Sequence, residues 1–333
     1  MPQTLPLHTL SSWQEQLADL LTDPLELLRC LNLQPSEVGY SEAALHEFPL
    51  RVPRAYVARM RPGDARDPLL LQVLPALAEL AQTPGYALDP LEEASATVAP
   101  GILHKYQGRV LLITTQACAI HCRYCFRRHF PYADNRQSRA DWEQSLCYIE
   151  RDGSIEEVIL SGGDPLALSA SHLDWLFERL RRIPHLRRLR LHTRLPLVLP
   201  DRVDARLCEQ LRALPWPAVV VLSANHAREF DAAVDSACAK LREAGVTLLN
   251  QSVLLAGIND EAEPLTALSQ RLFSAGVLPY YLHLPDPVQG TAHFDVSLAR
   301  AQELLATLRA RLPGYLVPRL VREEAGKPGK TLL

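Results

Sequence analysis

Val110-Leu111-Leu112-Ile113-Thr114 runs directly into Thr115-Gln116-Ala117-Cys118-Ala119-Ile120-His121-Cys122-Arg123-Tyr124-Cys125. A short apolar run that ends in polar residues reads as a buried strand. The three cysteines that follow it have the spacing Cys-x3-Cys-x2-Cys. Working outward, the same texture recurs at Glu157 to Leu160, Arg188 to His192, Ala218 to Ser223, Leu248 to Leu254 and Pro279 to Leu284. Between these runs lie amphipathic stretches such as Leu173, Leu176, Phe177 and Leu180, at i, i+3, i+4 and i+7. Strand and helix alternating about six times imply an α/β fold, a parallel sheet with helices outside. Six units are two short of an eightfold barrel, so a partial (β/α)6 barrel is expected, with reactive groups at the carboxyl ends of its strands.

The flanks differ. From Met1 to about Ala99 the pattern is short, helical and rich in proline, and it carries no obvious chemistry. Thr22-Asp23-Pro24 looks like a capped helix start, and Asp67-Pro68 is expected to open another helix carrying Leu70, Leu71, Val73, Leu74 and Leu77. The expected division is residues 1–99 as an N-terminal helical segment, 100–290 as the barrel, and 291–333 as a helix and a tail that closes the barrel mouth.

The 333 residues carry 35 Lys+Arg against 38 Asp+Glu and are 47% hydrophobic, an ordinary globular composition. The interspersed charges make no basic field for a nucleic-acid backbone, so nucleic acid is not an expected partner. The longest run without Asp, Glu, Lys or Arg, Ala244 to Asn259, is shorter than the about 20 apolar residues of a membrane span. Met1 to Asp19 has no signal-peptide pattern, and a cytoplasmic protein is the expectation. Seven irregularly spread cysteines do not read as a disulfide framework. Cys147, Cys208 and Cys238 fall in helical patterns as apolar fillers.

Three clustered thiolates admit two readings. A structural zinc site needs a fourth ligand, for which His121 and His129 are the local candidates. Alternatively, three thiolates hold three irons of a [4Fe–4S] cube and leave the fourth open. Placement directly after the first strand favours the second. Ser161-Gly162-Gly163-Asp164-Pro165 follows the second strand, where glycines allow a close backbone approach.

The cysteine spacing, the aromatic Tyr124 before the third cysteine and the Gly-Gly-Asp turn resemble the radical S-adenosylmethionine (SAM) superfamily. Within it, the chain resembles the lysine 2,3-aminomutases. The resemblance rests on His104-Lys-Tyr-Gln-Gly-Arg109, Cys125-Phe-Arg127-Arg128-His129-Phe130, Thr193-Arg194-Leu-Pro196, Asn225-His226, Asn250-Gln251-Ser-Val-Leu-Leu255 and Pro279-Tyr280-Tyr281. The run from Phe126 to Tyr132 and the phrases Thr22 to Leu28 and Leu50 to Arg54 look like the branch that makes (R)-β-lysine for elongation factor P.

That resemblance implies a [4Fe–4S] cluster on Cys118, Cys122 and Cys125, with SAM on its open iron. SAM contacts would come from Tyr124, Ser161, Gly162, Gly163, Asp164, Asn225 and Gln251. The glycines would let the backbone approach the SAM amino group. Ser223 stands where many relatives have histidine. It also implies pyridoxal phosphate (PLP) on Lys330, near Lys327, with its phosphate held by Lys105 and Arg109. Lys105 replaces the arginine of lysine-degrading relatives, a point charge for a fork. L-Lysine would be gripped by Arg127 at its carboxylate and by Asp286 and Glu323 at its ε-ammonium, Glu323 replacing an aspartate. The implied reaction moves the amino group from C2 to C3 and needs a low-potential electron donor. The product would pass to the elongation factor P ligase. A homo-oligomer is expected, and zinc is not. Rival readings are an aminomutase for glutamate or ornithine, and a binding protein that uses the arginine-rich stretch Arg179 to Arg190.

Overall fold

The computed structural model describes residues 12–130 and 138–333. The readings that touch Met1 to Ser11 or Pro131 and Tyr132 lie outside them. Ten strands form one sheet in chain order: β1 (Thr97–Ala99), β2 (Ile102–Tyr106), β3 (Arg109–Thr115), β4 (Glu157–Gly162), β5 (Arg188–His192), β6 (Ala218–Leu222), β7 (Thr247–Val253), β8 (Leu278–His283), β9 (Arg319–Arg322) and β10 (Thr331–Leu332). From β3 to β9 every neighbour is parallel. β1 to β3 pair antiparallel, as do β9 and β10. Among the described residues no ladder joins β10 back to β1, so the barrel is open.

All six sequence-read strands are present, and a seventh parallel strand, β9, joins them from the segment read as tail. Arg319-Leu320-Val321-Arg322 has only two apolar residues, too few for a periodicity to register. Six helices cross between the parallel strands: Arg139–Arg151, Ala170–Arg181, Ala205–Arg212, Ala232–Glu243, Ala262–Ser274 and Leu298–Arg311. Their apolar faces pack on the sheet; Leu173, Leu176, Phe177 and Leu180 are all buried.

The N-terminal segment does not stand apart. Leu27, Leu28, Tyr56, Leu69 and Leu70 share one core with Val110, Leu160 and Leu191 of the sheet. Asp23 caps the helix Pro24–Cys30, accepting from Leu25 N at 2.8 Å, with Pro24 at the first position. The helix expected from Asp67 is a run of turns instead. The Asp67 carboxylate accepts from the backbone N–H of Arg61, Leu69 and Leu70, and Pro75 ends the segment. Cys208 and Cys238 are buried as expected, and Cys147 is partly buried. No helix among the described residues is long and apolar enough to cross a membrane.

Candidate active site

The cysteine loop leaves the carboxyl end of β3 and is held from both sides. On the barrel side, Gly163 N donates to Thr115 O at 2.7 Å and Asp164 N to Ala117 O at 2.9 Å. A Cβ on Gly162 would lie 2.6 Å from Thr115 O, and one on Gly163 would lie 2.4 Å from Ala117 O. This revises the expected role of the two glycines. They admit the chain's own cysteine loop, whatever else approaches.

On the other side the N-terminal segment clamps the loop. Arg123 N donates to Gln72 O, and the Arg123 guanidinium reaches Glu79, Phe48 O and Ala44 O. Arg128 reaches the same Glu79 oxygen at 2.8 Å and Gly290 O at 3.0 Å. The side chains of Glu79, Arg123 and Arg128 have no solvent exposure. His121 and His129, the candidate zinc ligands, each place a ring nitrogen on a backbone carbonyl, Pro49 O at 2.7 Å and Gln289 O at 3.0 Å.

Burial pushes the Cys118 thiol well up and Cys125 up to about 11, with the neighbouring cysteines adding to both. Thiols so placed stay protonated near neutrality in the free chain, and bound iron would supply the positive charge that ionises them. Among the described residues no three ligating side chains converge as they would on a single ion. Thiolates that each hold a separate iron of a cube need not converge, and the donor set fits a cluster.

Asp164, an expected SAM contact, has both oxygens engaged within the chain. Oδ1 accepts from Leu166 N and Thr193 Oγ1, and Oδ2 from Arg194 N and Leu195 N. The turn therefore fixes Arg194, whose guanidinium reaches the Cys122 thiol and Tyr124. Asn225 is also committed: Val253 N donates to its Oδ1, and its Nδ2 donates to Gln72. Asn250 ties β7 to Ala224. Gln251 lies on the opposite face of β7 from the buried Asn250 and Ser252 and is partly exposed.

A second group forms at the open mouth. Arg127 grips Glu93 with two bonds, 2.7 and 2.8 Å, and donates to Ser161 Oγ at 3.2 Å. Glu93 also takes Lys105 at 3.3 Å, Lys105 reaches Glu323 at 3.0 Å, and Lys330 reaches Glu323 at 2.6 Å. The alternating chain Arg127–Glu93–Lys105–Glu323–Lys330 thus joins four of the expected site residues. Its fifth member, Glu93, had no sequence signal, because it lies 34 residues from Arg127 with no motif around it. Lys330 and Lys105 hold the Glu323 carboxyl down to about 2, against burial. Lys327 is exposed. Arg109 stacks on the Tyr106 ring at 4.7 Å.

Asp286 stands apart. Its Oδ1 is buried with no partner, and burial and then Glu323 push its carboxyl up to about 7. His192 on β5 and His283 on β8 also have buried, unpartnered Nε2 atoms. Burial drives both pKa values down, His283 to about 3, with the Lys330 charge contributing. Three orphaned polar atoms around an ammonium-bearing lysine are what a polar organic ligand would satisfy. Neither histidine is singled out by the sequence; each is the last residue of its strand. The arginine-rich stretch offers no free patch: Arg179, Arg181, Arg182, Arg187, Arg188 and Arg190 all pair with glutamates.

A family model described as the radical SAM superfamily matches residues 112–267, which begin in β3 and contain the cysteine loop and Gly-Gly-Asp turn. The fold and the three-thiol loop are those of a radical SAM enzyme. The chain is 49% identical to an L-lysine 2,3-aminomutase of Escherichia coli over 99% of its own length and 96% of that protein's. It is 46% identical to the one from Haemophilus influenzae, covering 100% and 98%, and 32% identical to the one from Clostridium subterminale, covering 96% and 77%. The chain belongs to the lysine 2,3-aminomutase family of radical SAM enzymes, and it is an isomerase of the aminomutase type. The cofactors of that family are a [4Fe–4S] cluster, SAM and PLP.

Proposed function

We propose that this chain is a PLP-dependent L-lysine 2,3-aminomutase, and that its (R)-β-lysine serves the lysylation of elongation factor P in the cytoplasm. The observation that carries the substrate is the mouth itself: the Arg127 guanidinium, held by an exchangeable ion pair with Glu93, and the Asp286 and Glu323 carboxyls, the first with a buried oxygen that lacks a donor. A ligand with a carboxylate at one end and a cation at the other answers both. An amino acid with an anionic side chain, such as glutamate, would set a third carboxylate against Asp286 and Glu323. The link to elongation factor P rests on the run from Phe126 to Tyr132 and on the phrases Thr22 to Leu28 and Leu50 to Arg54.

When bound, the cluster with SAM supplies a radical able to take hydrogen from carbon, and PLP supplies the π-system across which an amino group can migrate. The residues of the chain bind and orient. Cys118, Cys122 and Cys125 hold the cluster, while Tyr124, Ser161, Asn225 and Gln251 border SAM. Lys330 carries PLP, with Lys105 and Arg109 toward its phosphate. Arg127 takes the substrate carboxylate in exchange for Glu93. Asp286 and Glu323 accept the ε-ammonium, and the lumen walls keep water from the reacting atoms.

The test is anaerobic reconstitution with iron, sulfide and PLP, then dithionite, SAM and labelled L-lysine, with chiral analysis of the amino acids. Labelled (R)-β-lysine, transferred to elongation factor P when its ligase and ATP are added, is the expected result. SAM cleavage without β-lysine would remove lysine as the substrate. β-Lysine that the ligase does not use would remove only the pathway.

A further inference from the structure

We infer that Arg194 is a positioning residue for the iron–sulfur centre: it fixes Cys122 together with Tyr124, and its charge favours the reduced cluster. The inference rests on the reading of the three cysteines as cluster ligands. Nη1 of Arg194 lies 2.7 Å from Cys122 Sγ and 2.7 Å from Tyr124 Oη. Nη2 reaches Gln72 Oε1 at 2.7 Å, Glu229 Oε2 at 2.8 Å and Tyr56 Oη at 3.2 Å. The guanidinium therefore has a fixed orientation, with its fork divided between the cysteine loop and a buried counter-charge.

Its placement is equally determined. The Arg194 N–H donates to Asp164, which also holds Thr193 and Leu195, so the Gly-Gly-Asp turn that supports the cysteine loop sets the arginine too. Arg194 is 6% exposed, and Gln72 and Glu229 are fully buried. In such surroundings charges are weakly screened.

Reduction adds one electron to the cluster from an external low-potential donor; no bond forms or breaks. A hydrogen-bond donor and a positive charge at a ligating sulfur both stabilise the added negative charge, and hydrogen bonds to sulfur are among the features that set cluster potentials. Glu229, fully buried on the far side of the fork, offsets part of that charge. The two residues must then act with opposite sign.

The experiment is an EPR-monitored dithionite titration of reconstituted wild type, Arg194→Gln, Arg194→Lys and Glu229→Gln, each with iron and sulfide quantified. Arg194→Gln with a full iron complement is expected to lower the reduced-to-oxidised ratio at a given potential about tenfold, a midpoint about 59 mV more negative for a one-electron couple. Arg194→Lys, which keeps the charge and loses the fork, should recover at least half of that shift, and Glu229→Gln should move the midpoint the other way. An Arg194→Gln cluster with the wild-type midpoint overturns the inference. Should Arg194→Gln assemble no cluster while Arg194→Lys does, the positioning role stands; should neither assemble, an unmoved midpoint in Glu229→Gln overturns it. A wild-type protein that binds no iron would instead refute the ligand reading.

Discussion

The clamp on the cysteine loop and the mouth of the barrel are built from the same residue types, yet only one of them is finished. In the clamp every carboxylate oxygen is matched. Glu79 accepts from Ala76 N, Arg123 and Arg128, and Glu229 from Asn225 N, His226 N, Gln72 and Arg194. The unpartnered atoms in and beside it are the Nε donors of Arg51, Arg128 and Arg194 and one imidazole nitrogen, His293 Nδ1, none of them a carboxylate oxygen. In the mouth the orphans are acceptors and imidazole nitrogens, Asp286 Oδ1, His192 Nε2 and His283 Nε2, beside a chain of ion pairs that a ligand can exchange. The clamp holds a shape, whereas the mouth holds unsatisfied hydrogen-bonding capacity. Carboxylate removal should therefore have opposite consequences for stability in the two places.

The largest effect separates the regions functionally. Cys122→Ala should bind no intact cluster and form β-lysine at less than about a thousandth of the wild-type rate, a loss typical of removing an essential catalytic group. The mouth should survive, with borohydride still trapping PLP on Lys330. Iron analysis and mass spectrometry of the trapped peptide check both halves, and loss of PLP trapping would show the regions to be one unit. Next in size, Glu79→Gln leaves two buried guanidinium groups without their carboxylate. Breaking a buried pair in this way costs about 3–5 kcal/mol, to be read as a lower urea midpoint. A change under about 1 kcal/mol would mean that the clamp is not what secures the loop.

The sequence made the first region half legible and the second less so. Cys118, Cys122 and Cys125 stand out because their ligand geometry is local, and the six sheet strands because apolar runs alternate with amphipathic helices. The clamp's other half is hidden: Gln72 reaches Arg194 across 122 residues, and neither has a neighbour that signals the contact. Asp164 is a SAM contact only by what the family resemblance implies, and its structural role comes from elsewhere in the chain. Its four partners lie mainly on the segment after β5, which local spacing cannot reveal. The β1–β2 hairpin escapes the sequence reading because the division at 99/100 falls inside its Pro100-Gly101 turn.

Asp286→Asn sharpens the contrast, because this substitution should stabilise the protein without its ligands. The folded carboxyl sits near 7, against about 3.9 in an unfolded chain. Between those values the folded state binds more protons than the unfolded one, so this group's contribution to stability falls as pH rises from about 4 to 7 and is fully unfavourable above. Asparagine removes that titration. At pH 8 the variant should be more stable by roughly 4 kcal/mol, while at pH 4 it should nearly match wild type. Urea unfolding at the two pH values decides it, and a variant less stable at pH 8 would mean that Asp286 has a partner after all.

The smallest expected effect is on substrate affinity near neutrality. Asp286 can accept an ammonium only as carboxylate, and its raised pKa leaves it half-protonated at about pH 7. Binding the cation must then release a proton. The KM for L-lysine should rise as pH falls below 7, approaching tenfold per unit, about 1.4 kcal/mol, with kcat little changed because the grip is remote from the migrating nitrogen. In Asp286→Asn the KM should be about tenfold higher at pH 8 and nearly independent of pH from 6 to 8. The lysine, SAM and cluster do not titrate identically in the two proteins unless their sites are intact, so matching kcat profiles are part of the expected result. A KM that keeps its pH dependence in the variant would assign the titration to another group, with Glu323 and the two orphaned histidines next to be replaced.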